Sequence, residues 1–217
     1  MKRLFLLIAF LLLAGSAQAA NTTYWISRDG DDANSCFAST TKPTVATQAR
    51  KTFQAGIQCL ASGDILKVEA GIYTEIQGTI SDSGTSVNTR NVLMGRNIPD
   101  GTAAAKTRIL CETITVASTL VHPVCEIRPA AGASFVMWFF DSNDNLSHFE
   151  INSFRVNNIS ALATMRRFIR VTSSRCDNCA FRNISMVNVS DLPVAQDAFS
   201  FSSNTAHCDN TIFEGLS

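Results

Sequence analysis

The chain has 217 residues, with 18 basic and 18 acidic side chains, seven cysteines and 46% hydrophobic residues. That length suits one ordinary domain with room for a core. The balanced charge, without a dense basic patch or a polybasic run, excludes nucleic acid and anionic lipid as partners.

Residues 1–20 read as a segment to be removed. Lys2 and Arg3 form a positive start, Leu4–Ala14 is an apolar run of eleven, and Ala17-Gln18-Ala19 is an A-x-A site. This is the pattern of a secretory signal peptide cut after Ala19 or Ala20. The apolar run is too short to cross about 30 Å of hydrocarbon as a helix, so no membrane span is expected after cleavage. The compact form looks bacterial and predicts a secreted or periplasmic protein. Removing Lys2 and Arg3 from the 18 basic residues leaves 16 against 18 acidic, a slightly negative mature chain. The organisation expected is a signal at 1–20, a cap and first coil at 21–75, and further coils at 76–217.

Seven cysteines in an exported chain read as a partial disulfide set. Cys36 and Cys59 flank one segment and Cys111 and Cys125 another, while Cys176, Cys179 and Cys208 lie near the end. The odd count leaves at least one thiol over. Cys176-Asp177-Asn178-Cys179 is a CxxC, but one CxxC without a second pair is a weak zinc signal.

In chain order, Thr23–Ser27 is a short β-prone run ending in the acidic turn Arg28–Asp32. An EF-hand would need a Glu at its twelfth position, which this turn lacks, so a solvated turn is the simpler account. Ala46, Ala49, Phe53, Ile57 and Leu60 then recur at spacings of three and four, predicting a short amphipathic helix. Thr47 or Thr52 serves as its N-cap and Gly63 as its stop. Gly63-Asp64 leads into a strand over Ile65–Val68; an Ala70-Gly71 corner follows, then a second apolar piece at Ile72-Tyr73.

Tyr24–Ser27, the Asp/Gly turn, Lys51–Ile57, Gly63–Val68 and Ala70–Glu75 in this order resemble the N-terminal entry of secreted right-handed parallel β-helix proteins of the pectin-lyase-like superfamily. The resemblance covers residues 23–75. It implies an all-β right-handed parallel β-helix, a solenoid with a short N-terminal capping helix.

Residues 76–101 look like a long loop, with Ser81–Gly84, Gly95 and Ile98–Gly101 as breakers. Arg108–Cys111 and Val124–Ile127 follow as short strands, and a Cys111–Cys125 bridge would tie off the segment between them. The last third carries an internal repeat: Phe149–Val156, Cys179–Met186 and Thr211–Leu216 share one pattern, with Ile151, Phe181 and Phe213 spaced 30 and 32 apart. Ser153, Asn183 and Gly215 take the corner position, which favours residues tolerant of a left-handed backbone. Further apolar runs precede each copy, at Phe135–Phe140, Phe168–Val171 and Ala198–Phe201. A β-sandwich would instead show Asn-Gly hairpins between strands, and none separates these pairs. Stacking places Cys176 over Cys208 at about 4.8 Å, inside the disulfide window, with a strained Cys176–Cys179 link as competitor. It also makes Arg182 and Glu214 outer-face neighbours. The third copy is cut short at Ser217 without a polar cap, so the C-terminal end is expected to be incomplete and the chain a fragment.

No catalytic residue is assigned. Family members that cleave acidic polysaccharides bind Ca²⁺ through clustered Asp/Glu and use Arg or Lys as base. Asp177, Asp209, Arg175, Arg182 and Glu214 are candidates on that resemblance, against the simpler account of an exposed charged ladder. Asp141 with Asp144 is the nearest approach to a paired-carboxylate hydrolase, although three-residue spacing in a turn does not set the separation that chemistry needs. His148 and His207 read as hydrogen-bonded turn residues, and Arg166-Arg167 with Arg170 as a charged outer face. Asn21, Asn145, Asn158, Asn183 and Asn188 match the glycosylation sequon but read more simply as turn asparagines. The resemblance implies an exported protein that binds or degrades polysaccharide or a cell-surface glycan, a lyase or glycoside hydrolase if an enzyme, with active coils beyond Ser217. The rival is a non-catalytic surface or adhesive scaffold. Ca²⁺ rests on the resemblance alone.

Overall fold

The computed structural model describes residues 21–44, 46–75, 78–81, 89–94, 98–112, 125–129, 137–142, 146–157, 165–171, 176–187, 199–201 and 208–217. Residues 1–20, with Ala19 and Ala20, lie outside them. The described strands, in chain order, are β1 (Thr23–Ile26), β2 (Ile65–Val68), β3 (Gly71–Glu75), β4 (Gly78–Ser81), β5 (Thr89–Met94), β6 (Thr107–Cys111), β7 (Cys125–Pro129) and β8 (Met137–Ser142). They continue with β9 (Leu146–Ser147), β10 (Phe149–Asn157), β11 (Met165–Val171), β12 (Cys176–Asp177), β13 (Ala180–Val187), β14 (Phe199–Phe201) and β15 (Ile212–Glu214). A single α-helix, α1 (Phe53–Ile57), accompanies them among the described residues. The fold is all-β and almost wholly parallel. One sheet of eight strands runs β1-β2-β6-β10-β13-β15, with β7 pairing β10 and β3 pairing β7; a second of five runs β14-β11-β8-β5-β4; β9 and β12 form a third.

Parallel strands buried on one face need an unbroken apolar row across the sheet, and the register supplies it. Tyr24, Leu66, Ile109, Ile151, Phe181 and Phe213 are successive partners. Leu66, Ile109, Ile151 and Phe181 are all 0% exposed. Each such side chain contributes about 1.5–3 kcal/mol by leaving water. A second inward row, Tyr73, Ile127 and Val156, runs along β3, β7 and the later half of β10. The three residues that the sequence aligned at one position, Ile151, Phe181 and Phe213, are thus register partners.

Two stacked corners divide these layers. Ser153 (φ 69°), Asn183 (φ 50°) and Gly215 (φ 61°) form one, and His148 (φ 51°), Asn178 (φ 57°) and Asn210 (φ 53°) form the other. The left-handed region is costly for most side chains but tolerated by Asn and Gly, which explains the turn asparagines. Asn183 Nδ2 donates to Asn152 Oδ1 at 3.0 Å, linking one layer to the next. Because Ser153 bends β10 in mid-strand, its first half pairs with β6 and its second with β7.

At the N-terminal end, helix α1 is shorter than the periodicity predicts. Ala46–Gln48 is a 3-10 turn, and Arg50 bridges back to Ile26. That bridge keeps the backbone before Thr52 extended, so the helix starts only there. Thr52 is the N-cap, its hydroxyl accepting from the Ala55 N–H at 3.2 Å. The acidic turn supplies a second clamp: Asp32 Oδ1 accepts from the N–H groups of Lys51 and Thr52, both at 2.9 Å. Burial raises the Asp32 pKa, but the bonds from Thr52 and Lys51 outweigh it and hold the carboxyl below its ordinary value. Gly63 (φ 83°) turns the chain out of this region. Asp64 then accepts from Thr22 N–H at 3.0 Å and Ala61 N–H at 2.7 Å, fastening β2 beside β1.

Residues 76–101 contain more structure than a loop reading allows. β4 and β5 pair antiparallel there, and β5 continues in parallel onto β8. The two arms satisfy each other's backbone groups locally, which apolar periodicity does not reveal. Two disulfides are formed, Cys36–Cys59 and Cys111–Cys125.

Candidate functional site

A cleft of about 460 Å³ opens beside the N-terminal end of the eight-stranded sheet, lined by Ser27, Asp29, Lys42, Pro43, Thr44, Ala49 and Glu69. Its walls follow from local sequence. Trp25 Nε1 donates to the Ser39 carbonyl at 3.0 Å and Ser39 N–H to the Thr23 carbonyl at 2.8 Å, laying the segment after Cys36 along β1. The Cys36–Cys59 bridge fastens the same segment to the end of α1. Lys42 is thereby carried over the ends of β2 and β6, where its Nζ lies 2.6 Å from Glu69 and 3.4 Å from Glu112.

Glu69 also accepts from the Ser27 hydroxyl. Burial raises its pKa, but hydrogen bonds from Lys42 and Ser27 reverse the sign and hold the carboxyl below its usual range. The bond to Glu69 raises the pKa of Lys42 in return. The Asp29 carboxylate makes no hydrogen bond or ion pair among the described residues, and neither does the Thr44 hydroxyl. The cleft therefore presents one fixed ammonium–carboxylate pair and two groups ready to accept or exchange hydrogen bonds. That set suits a polyhydroxyl ligand.

A second polar surface lies on the outer face of the large sheet. Arg108 Nε is 3.4 Å from Glu150, and Arg182 Nε is 3.8 Å from Glu150 while its guanidinium also pairs with Glu214. On the adjoining segment, Glu126 Oε1 accepts from Arg128 at 2.6 Å and from Asn157 at 2.8 Å, and its Oε2 lies 3.7 Å from Arg155. Burial raises the Glu126 pKa, but Arg128 first and Asn157 next lower it further. These charges are paired with one another, within β7 and across adjacent strands.

The structure brings Arg182 and Glu214 together, as stacking predicts, but gathers no catalytic set around them. Asp177 is 8% exposed, and its Oδ1 accepts from the Asp209 N–H at 3.2 Å. Asp209 is exposed, and Arg175 lies outside the described residues. Asp141 belongs to strand β8 and not to a turn; it is the register partner of Arg170, and Asp144 lies outside the described residues. Arg166, Arg167 and Arg170 all lie on β11, which pairs with β8 and β14. His148 departs from the hydrogen-bonded turn expected: its Nδ1 is buried without a hydrogen-bond partner among the described residues. His207, Asn145, Asn158 and Asn188 lie outside them, while Asn183 occupies a corner. The candidate Cys176–Cys208 bridge is not formed; Cys176, Cys179 and Cys208 are thiols, and Cys176 shares its hydrogen bonding between the other two.

No three His, Cys, Asp or Glu side chains among the described residues are arranged to hold a metal ion. No helix among the described residues is long and apolar enough to cross a membrane. The paired cysteines are compatible with an extracellular protein. The cleft itself escaped sequence reasoning. Lys42 and Glu69 are 27 positions apart, and only the strand register and the Cys36 bridge make them neighbours.

No family model matches the chain, and no curated protein matches it in sequence. Among solved structures it is similar to a rhamnogalacturonan lyase, with a TM-score of 0.52 and 14% sequence identity. The match covers 90% of this chain and 51% of the lyase, so the chain spans about half the length of that protein. At this identity the likeness shows a shared parallel β fold.

Proposed function

We propose that this chain is the N-terminal part of an exported right-handed parallel β-helix protein that binds a uronate-bearing polysaccharide and, in its longer form, degrades it. The observation carrying this reading is the fold match to a rhamnogalacturonan lyase over 90% of the chain. The left-handed corners spaced alike on successive layers support the solenoid, and the leader at 1–20 supports export. The cleft at Asp29, Lys42 and Glu69 supplies a polar sugar contact at the capped end. The charged set of β10, β13 and β15 is engaged in ion pairs, which supports seeking the reacting groups elsewhere in the longer form.

Affinity electrophoresis in gels containing rhamnogalacturonan, with a neutral glucan as comparator, tests binding. Retardation by rhamnogalacturonan alone is expected. Asp29→Asn is expected to weaken it roughly tenfold, the worth of a charge-assisted hydrogen bond. Equal mobility in all gels overturns the reading. A rise in unsaturated-uronate absorbance identifies a lyase, whereas retardation without turnover identifies an adhesive scaffold.

A further inference from the structure

Three thiols gather where the corner after β12 meets the corner before β15. Cys176 and Cys179 are fully buried, and Cys208 is half-buried. The two corners are locked in register by their backbones. Asn178 N–H donates to the Asp209 carbonyl at 2.8 Å, and Ile212 N–H to the Cys179 carbonyl at 2.9 Å. The Thr211 hydroxyl donates to the Cys176 carbonyl. Cys208 precedes Asp209 as Cys176 precedes Asp177, so it stacks one strand spacing from Cys176, about 4.8 Å. Disulfides form at Cα separations of about 4.4–6.8 Å.

We propose that Cys208 and Cys176 are a reversible dithiol–disulfide site that locks the β15 corner onto the layer beneath, with Cys208 as the entry thiol. Exposure divides the labour. Only Cys208 of the three is open to a macromolecular or small disulfide donor. Its sulfur accepts a hydrogen bond from the Cys176 thiol and another from the Cys176 backbone N–H, which favour its thiolate. Cys176 stays protonated, held so by its shared hydrogen bonding with Cys179 and Cys208 and by burial.

The chemistry balances by exchange with a disulfide, R–S–S–R, of the oxidising compartment. Cys208 thiolate attacks one sulfur, forming a mixed disulfide and releasing one RS⁻. Cys176 then gives up its proton and attacks the Cys208 sulfur, forming the protein disulfide and releasing the second RS⁻. The two thiol protons end on the two RSH molecules, so two protein thiols are oxidised as one donor disulfide is reduced. Cys179 remains a thiol.

The test uses the full chain with Cys36–Cys59 and Cys111–Cys125 intact. It is incubated with oxidised glutathione, its remaining thiols are capped after denaturation, and its peptides are mapped by mass spectrometry. The expected product is a Cys176–Cys208 cross-link with Cys179 capped. The thermal midpoint should rise by about 10 °C over the thiol form, as closing a loop of this length implies. Cys179→Ala should give the same cross-link and Cys208→Ala none. Capping of all three thiols, a Cys176–Cys179 link or a persistent glutathione adduct on Cys208 overturns the proposal. The map of the unsubstituted chain decides the matter even if a variant does not fold.

Discussion

The two ends of the eight-stranded sheet carry the same inward row but finish it differently. At the β1–β2 end, Phe53 of α1 is 1% exposed and packs edge-on against Tyr73 at 5.5 Å and Phe154 at 5.8 Å between ring centroids. The Cys36–Cys59 disulfide and the Asp32 and Thr52 caps hold that helix in place. At the β15 end, Phe213 stacks on Phe181 at 5.3 Å yet is 38% exposed, and neighbouring Ile212 is 42% exposed. An exposed ion pair and backbone hydrogen bonds secure it. One end is covered, whereas the other leaves part of its apolar row exposed.

The largest expected effect follows directly. Phe53→Ala should lower stability by about 3–5 kcal/mol, since it leaves a cavity between the helix and two aromatic neighbours. Phe213→Ala should cost about 1 kcal/mol or less, because much of its surface is already in water. Urea denaturation of the two variants measures the contrast. Equal losses would mean that the β15 end is as well covered as the capped end.

The parts of this comparison differ in how far sequence reveals them. The central row was legible because Ile151, Phe181 and Phe213 recur at near-constant spacing and each must face inward in a parallel register. The corners were legible at Asn183 and Gly215, where residue type and backbone conformation agree. Ser153 was placed there by the repeat alone, and His148 adopts the same left-handed conformation without a signal that announces it. The β4–β5 pair was hidden, since its Gly and Ser content resembles a loop and its pairing is set by neighbours. The cleft was hidden for another reason: Ser27, Lys42 and Glu69 come from three segments whose approach depends on tertiary pairing. The nearness of Cys176, Cys179 and Cys208 was legible from the CxxC and the repeat spacing, but the bridge that spacing allows is not formed.

A subtler change at the covered end sharpens the comparison. Gly56 lies within α1, where Gly-to-Ala exchange in an exposed helix would stabilise by about 1 kcal/mol. Here a Cβ would meet Ile26 Cγ2 at 2.5 Å and a Leu66 methyl at 3.0 Å. Gly56→Ala should therefore destabilise by about 1–3 kcal/mol through overpacking. Equilibrium unfolding that shows a gain instead would mean the helix sits loosely on the sheet.

The smallest expected effect is electrostatic and separates the ends by pH. The folded-state pKa of Glu69 lies below its unfolded value, so its contribution is complete above the unfolded pKa, near pH 4.5. It is lost as pH falls through the lower folded value. Lys42 works in the opposite sense: its pKa is raised, so its contribution is complete below about pH 10 and fades as pH rises through the folded value. Glu69→Gln should therefore lower the urea midpoint between these limits, and the gap to the parent chain should close in acid. At the other end, the Glu214 side chain is 59% exposed, and Glu214→Gln should cost at most about 1 kcal/mol. That loss should shrink further in concentrated salt, which screens exposed pairs. The Lys42–Glu69 pair is less screened, because its carboxylate is only 19% exposed. Titrating both variants in low and high salt tests whether the covered end also shelters its charges. A Glu69→Gln gap that collapses in salt as fully as the Glu214→Gln gap would show that cover at this end extends to the aromatic core and stops short of the cleft.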